Sequence, residues 1–272
     1  MFPYIIFSSV ALALAFDNEE IMFRSVVSTA PVAALPRYKN SKQFIRERYR
    51  SADRFITLVI GAHDGTHNDN LHSVMRLETK NRWYGYFVEP VKLNFEKLVQ
   101  HYNGGHRLQN NNVWTMNVHH FLHAAVSEPS RIAPNMTCPF YSVSEDAPDS
   151  VPEWVRTQIS KLDKERMVKK LKGYGILEFL VTTHIPCYDY DSLIKKLGLT
   201  NSVIDYVQVD VEGFDYDIIK MISESKYPLP RAVFWERKII SRWKKDVLAR
   251  DLMTAAGYSI LKEGEDDFAY LI

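Results

Sequence analysis

Cysteine is scarce in this chain of 272 residues, with Cys138 and Cys187 the only two. Two are too few for a disulfide scaffold and lack the short paired spacing of a zinc site, so cysteine usage leaves the compartment open. A surplus of either charge is also missing. Lys plus Arg number 34 against 33 for Asp plus Glu, which provides no field to hold a polyanion, and nucleic acid is not an expected partner. No apolar run approaches the ~20 residues that a membrane-spanning helix needs, so no stable membrane span is expected. Internal repeats and low-complexity tracts are absent as well. What remains, 46% apolar and 25% charged residues, is the composition of an ordinary folded protein and sets aside disordered, collagen-like and coiled-coil classes. The length suits one large α/β domain or two small ones. Nothing in it indicates an oligomeric state.

The beginning of the chain reads as an address. Residues 4–16 are almost entirely apolar and end in Ala13, Leu14 and Ala15 ahead of Asp17, Asn18, Glu19 and Glu20. That is a signal-peptide outline with a small-x-small cleavage site, although no Lys or Arg precedes the run. The alternative for residues 1–16 is a buried apolar segment lying on the domain. The expected location is therefore the secretory pathway or the cytoplasm. A sequon, Asn135-Met136-Thr137, is too common a pattern to decide between them.

Beyond this the sequence alternates. Residues 17–53 form an N-terminal extension whose last part, from Asn40, is charged and helix-like, and the main domain is expected over 54–272. Residues 55–60 are a short apolar run stopping at Gly61, the pattern of a buried strand followed by a turn. Residues 83–88 repeat it and stop at Glu89-Pro90, after which Val91, Phe95, Leu98, Val99 and Tyr102 recur at helical spacing. Further strands are predicted at 123–126, 203–209 and 231–235. A helix is predicted over 243–256, closed by Gly257, and a hairpin pairs 258–261 with 268–271. Ile218, Ile219 and Ile222 mark one helical face between strands. Strands alternating with helices imply a parallel sheet covered on both faces. Pro129, Pro134, Pro139, Pro148 and Pro152 crowd one stretch, followed by a helical patch over 153–171 and a break at Gly173-Tyr174-Gly175. This predicts an irregular insert at about 129–186, either a lid over the active site, since loops at strand ends carry function, or a surface loop with one helix.

Three features carry chemistry. The first is the turn Gly61-Ala62-His63-Asp64-Gly65 directly after a strand, where glycines let backbone approach a ligand. It is neither the G-x-G-x-x-G of dinucleotide folds nor a phosphate loop. The second is Glu89, at the end of the next strand. In a doubly wound sheet those two strand ends meet where ligands bind, and an ionised carboxylate, being acceptor-only, can receive both hydroxyls of a ribose. Together they describe a nucleoside site without a triphosphate. The third is Asp210-Val211-Glu212-Gly213-Phe214-Asp215, with two acids leaving a buried strand on the same edge.

These residues, with Ala124-Ala125-Val126 and the strand ending at Glu236, resemble in order the FkbM family of S-adenosylmethionine-dependent methyltransferases, from about Arg54 to the C-terminus. The resemblance implies a class I Rossmann-like fold, a doubly wound sheet of about seven strands with the last antiparallel. It implies S-adenosyl-L-methionine as cofactor and methyl transfer to a hydroxyl oxygen of a small molecule or glycan. Gly61, Ala62, His63, Asp64 and Gly65 would pass under the methionine part, Glu89 with Pro90 would hold the ribose, and Ala124 and Ala125 would flank the adenine. Asp210 and Glu212 would face the methyl donor or the acceptor. One departure stands out: Val59 lies where relatives often carry an acid two positions before the first glycine, so the cofactor amino group would need another partner, Asp64 or Asp210.

A hydroxyl acceptor must lose a proton, and Asp210, Glu212, His63 and Glu236 are the candidate bases. His119-His120-x-x-His123 has no nearby Cys or carboxylate to complete a tetrahedral set, and no metal is expected. Trp154, Trp235 and Trp243 are candidates for a sugar or lipid pocket, or for core. The rival to an enzyme is a Rossmann-like binding module that has lost methyl transfer; a nicotinamide enzyme is disfavoured by the missing glycine pattern.

Overall fold

The structure is a computed structural model, and it describes residues 38–65, 70–75, 82–103, 118–144, 146–159 and 162–271. The apolar run at 4–16 and most of the extension lie outside the described residues. Residues 37–272 form one compact unit.

In chain order the elements are α1 (Ser41–Ser51), β1 (Phe55–Ile60), α2 (Asn70–Met75), β2 (Trp83–Glu89), α3 (Lys92–Asn103), β3 (Val118–His123), β4 (Ala125–Val126), β5 (Thr137–Val143), α4 (Glu153–Gln158), α5 (Lys164–Tyr174), β6 (Leu180–Tyr188), α6 (Tyr190–Lys196), β7 (Tyr206–Val209), α7 (Asp215–Ser223), β8 (Ala232–Glu236), α8 (Arg237–Ser241), α9 (Lys245–Ala255), β9 (Tyr258–Glu263) and β10 (Asp266–Leu271). Seven strands make the main sheet in the order β3-β2-β1-β7-β8-β10-β9. Neighbours are parallel from β3 through β8, and β10, last in the chain, runs antiparallel to both β8 and β9. This is the sheet expected of a class I Rossmann-like methyltransferase.

The continuous apolar run of β1 follows from burial on both faces. Ile56, Leu58 and Ile60 pack with Val207, Val209, Trp235 and the isoleucines of α7, while Phe55 and Val59 join Phe44, Ile45 and Tyr49 of α1 and Leu98 and Tyr102 of α3 on the other side. α1 is therefore part of the core. Arg48 ties it to the buried Asp205 at 2.6 Å, and Asp205 also accepts from Ile56 N at 2.9 Å. Trp235 is fully buried, whereas Trp154 and Trp243 are well exposed.

The order of strands reverses between β1 and β7. β1 hands the chain to the left half of the sheet through β2, and the crevice opens where the two halves diverge, above the carboxyl ends of β1, β2 and β7.

Two sequence expectations need correction. The strand predicted at 123–126 is split: β3 ends at His123, and Ala125–Val126 leaves the main sheet to pair with β6. Ala124, fully buried in the core, lies at the break. The insert is also more regular than its prolines suggest, because β4, β6 and β5 form a second, three-stranded sheet. β5 and β6 pair antiparallel, from Thr137 against Pro186 to Val143 against Leu180. The helical patch at 153–171 divides into α4 and α5, with Asp163 capping α5 through Arg166 N and Gly175 ending it at φ +67°. Cys138 and Cys187 are joined in a disulfide across this sheet, a pairing that spacing alone did not suggest.

Candidate active site

β1 ends at Ile60 and turns at once. Gly61 N and Ala62 N both donate to Val88 O, and Asp210 N donates to Ile60 O. The turn after β1 is thus clamped between the ends of β2 and β7. Gly61 has φ +81°, and a Cβ there would stand 1.8 Å from Asp210 O; the space a side chain would need is taken by the neighbouring strand end. Gly65, at φ +78°, meets the ring of Tyr102, whose hydroxyl donates to Gly65 O at 3.1 Å. The glycines of the turn therefore serve internal packing as well as any ligand.

Glu89 closes β2 and is 4% exposed. Its Oε2 accepts from His63 N and its Oε1 from Val91 N, both at 2.8 Å, and the Asn94 side chain donates to it as well. Burial pushes the carboxyl up to about 7, against the pull of those donors and of His63. A carboxylate offers about four acceptor sites. Three of these are engaged, by His63 N, Val91 N and Asn94. Asn94, fully inside on α3, is a residue that sequence reasoning missed; its i+5 spacing from Glu89 resembles an ordinary polar helix position.

His63, with φ +50°, presents Nδ1 to Asp64 Oδ1 at 3.3 Å. Burial opposes its protonation, but the hydrogen bond to Asp64 and the charges of Asp64, Glu89 and Asp210 outweigh it, and its pKa rises. Pro90 O is 3.0 Å from His123 Nε2; since a carbonyl only accepts, Nε2 carries the proton. His120 stacks on Tyr86 with centroids 4.6 Å apart. The His119 side chain lies outside the described residues.

The other wall is acidic. Asp210 and Glu212 follow β7, and Glu212 takes φ +56° ahead of Gly213 at φ +102°. Asp215 is fully buried and accepts from Gly213 N at 3.1 Å and Val211 N at 3.4 Å, which fixes the loop. Burial, then the charges of Asp210 and Glu236, raise the Asp215 carboxyl well above the carboxylate range. Glu236, at the end of β8, is pushed up to about 8 by burial and by Asp210, Glu212 and Asp266. The structure thus brings Asp210, Glu212 and Glu236 into one electrostatic cluster, and Asp210 also acts on His63.

A cavity of about 700 Å³ opens just past the end of β2, lined by Pro90, Val91 and His123 on the sheet side and by Phe140, Ser142 and Thr183 of the insert. Its size is that of a small-molecule site. The Ala124 and Ala125 side chains are buried in two cores rather than exposed to it. The insert is anchored at several points. Lys97 of α3 meets Glu153 at 2.6 Å, Arg131 lies over the Phe214 ring at 5.2 Å, and Arg166 lies over Trp243 at 4.1 Å. Trp243 in turn packs beside Gly213.

With this geometry established, comparison with known proteins is decisive on one point. The sequence model of the methyltransferase FkbM domain matches residues 60–260. The chain belongs to the FkbM methyltransferase family.

The matched segment of the FkbM domain runs from the end of β1 into β9 and includes every residue of the clamp and of the acidic wall. Among solved structures, methyltransferase FkbM from Methylobacillus flagellatus KT is similar at 13% identity and TM-score 0.42, over 80% of this chain and 44% of that one. The CurJ carbon methyltransferase is similar at 10% identity and TM-score 0.41, over 84% and 52%. Aeropyrum pernix fibrillarin, in complex with natively bound S-adenosyl-L-methionine, aligns at 10% identity and TM-score 0.36, over 81% and 66%. The chain spans about half the length of the first two of these proteins. No curated protein matches the chain. Among the described residues no helix is long and apolar enough to cross a membrane.

Proposed function

We propose that this FkbM-domain chain is an S-adenosylmethionine-dependent methyltransferase acting on a hydroxyl oxygen of a small molecule or glycan. The observation that carries the reading is Glu89, a buried carboxylate held by His63 N and Val91 N at the end of β2, directly before Pro90 and Val91, which line a ligand-sized cavity. That arrangement fits the ribose of the cofactor: two vicinal hydroxyls need one group that accepts only, as the ionised Glu89 does, and that is already oriented. The cofactor, when bound, supplies an electrophilic methyl group on a sulfonium.

Glu89 would receive the ribose hydroxyls, and the backbone of Gly61, Ala62 and His63 would border the methionine part. Asp64 and Asp210 would meet its amino group, since Val59 is buried in the core and Thr57 accepts from Trp83 Nε1. The acidic wall suits a hydroxyl acceptor. A carboxylate raised toward neutral pH retains the basicity to take a proton, and Glu236, raised by burial and then by the charges of Asp210 and Glu212, is the leading candidate base. His63 is the alternative base. The insert, pinned at Trp243, Phe214 and α3, serves as the cover that excludes water from the cleft. The near-equal charge totals favour an acceptor that is not a polyanion.

Calorimetric titration of the purified chain with S-adenosylmethionine and S-adenosylhomocysteine, with Glu89→Ala as control, tests the reading. Micromolar binding that disappears in the variant supports it. A folded chain that binds neither molecule is instead a binding module without methyl transfer. Transfer of labelled methyl to oxygen rather than carbon, read by NMR of the product, tests the acceptor atom.

A further inference from the structure

Methyl transfer leaves one sequence motif unused. Asn135-Met136-Thr137 forms the turn that leads into β5, closed by Met136 N donating to Ala133 O and Ala133 N to Thr137 O. Asn135 is exposed on this turn. Thr137 Oγ1 donates to Asn135 Oδ1 at 2.8 Å, so the hydroxyl and amide that define the acceptor pattern are in contact in the folded chain. The next residue is Cys138. It is buried and disulfide-bonded to Cys187, with Cα atoms 5.6 Å apart. Disulfides form and persist in oxidising compartments, and N-linked glycans are attached to surface sequons of secreted chains. The short apolar run at 4–16 has the outline of an address to that compartment.

We propose that Asn135 carries an N-linked glycan, added in the lumen of the secretory pathway where the Cys138–Cys187 bond also forms. In the transfer, Asn135 Nδ2 forms a C–N bond to the anomeric carbon of an oligosaccharide carried on a polyprenyl diphosphate. The anomeric C–O bond breaks, the diphosphate leaves with the electron pair, and Nδ2 gives up one proton. None of residues 133–137 lines the 700 Å³ cavity, so the glycan stands on the insert clear of the cleft and shields the exposed Met136 side chain.

The test is expression of the full chain in a eukaryotic secretory host, followed by glycosidase release and mass mapping without reduction. The tryptic peptide spanning residues 132–156, still joined through Cys138 to the peptide that holds Cys187, is expected to carry a glycan and to show Asn135 converted to Asp on enzymatic release. The mobility shift on release is expected to vanish in Asn135→Gln and in Thr137→Ala and to persist in Thr137→Ser. Secreted chain with the disulfide formed and Asn135 unmodified overturns the proposal, as does chain retained in the cytosol with both thiols free. These readouts do not depend on cofactor binding or turnover.

Discussion

Glu89 gives the sharpest quantitative handle, because its protonation moves stability and affinity in opposite directions. In the folded chain its carboxyl holds a proton up to about 7, against 4.5 as the ordinary value. The folded state therefore binds more protons than the unfolded state between these values, and stability falls as pH rises through the interval. One proton gives a slope of at most about 1.4 kcal/mol per pH unit, which accumulates to about 3 kcal/mol between pH 4.5 and 7. Ligand affinity runs the other way. If the ionised form is what receives the ribose hydroxyls, the competent fraction is about one-tenth at pH 6 and nearly complete at pH 8, so the apparent Kd is about tenfold weaker at pH 6. His63 titrates nearby and adds its own slope, so the informative comparison is with Glu89→Gln. The amide keeps the shape but does not ionise, and it sets an N–H group against His63 N or Val91 N, a loss of about 1–3 kcal/mol. Urea unfolding and calorimetric titration across pH 5.5–8.5 measure both trends. Wild-type and Glu89→Gln curves with the same pH slopes, or equal Kd at pH 8, would refute the reasoning.

Other outcomes follow from the same geometry. Gly61→Ala combines a positive φ with a Cβ 1.8 Å from Asp210 O and should lose about 3 kcal/mol or more; an unchanged urea midpoint would mean that the clamp yields without strain. The Cys138–Cys187 bond closes a separation of 49 residues, and the double variant Cys138→Ser/Cys187→Ser should be less stable by about 4 kcal/mol on the chain-entropy estimate, read from denaturant curves of oxidised wild type and variant. If Glu236 is the base, the acid limb of the kcat/KM profile should fall near about 8, Glu236→Gln should lower kcat by about 10²–10⁴, and Asp210→Asn should move the limb down by removing a negative neighbour. Normal turnover of Glu236→Gln would transfer the role to His63, Asp210 or Glu212.

Much of the sheet was legible because each of its buried strands is a short apolar run stopped by a turn or an acid. β1, β2, β7 and β8 end where Gly61, Glu89, Asp210 and Glu236 end them in the sequence, since burial on both faces demands apolar side chains until the chain emerges at the edge. The same edge carries chemistry, so the candidate residues could be named from those ends. β3 and β4 were merged because Ala124 is as apolar as its neighbours; the break comes from β4 pairing with β6, more than fifty residues later in the chain. β5 and β6 were hidden by Pro139 and Pro186, tolerated in a small sheet with an edge, and by polar runs such as Thr182-Thr183-His184.

What the sequence determined by itself was the family and the identity of the groups at the strand ends, because alternation of apolar runs and helices leaves few ways to wind a parallel sheet. What tertiary structure alone decided was their state. Asn94 donating to Glu89 brings α3 onto the end of β2, while the carbonyl of Asp210 filling the space beside Gly61, and the burial and mutual repulsion that raise Glu236, join residues distant in the chain. So does the Cys138–Cys187 bond, which appears only when β5 and β6 lie side by side. Local pattern fixes which side chain occupies an edge; the proton it holds and the partner it meets depend on what folding brings within a few ångströms.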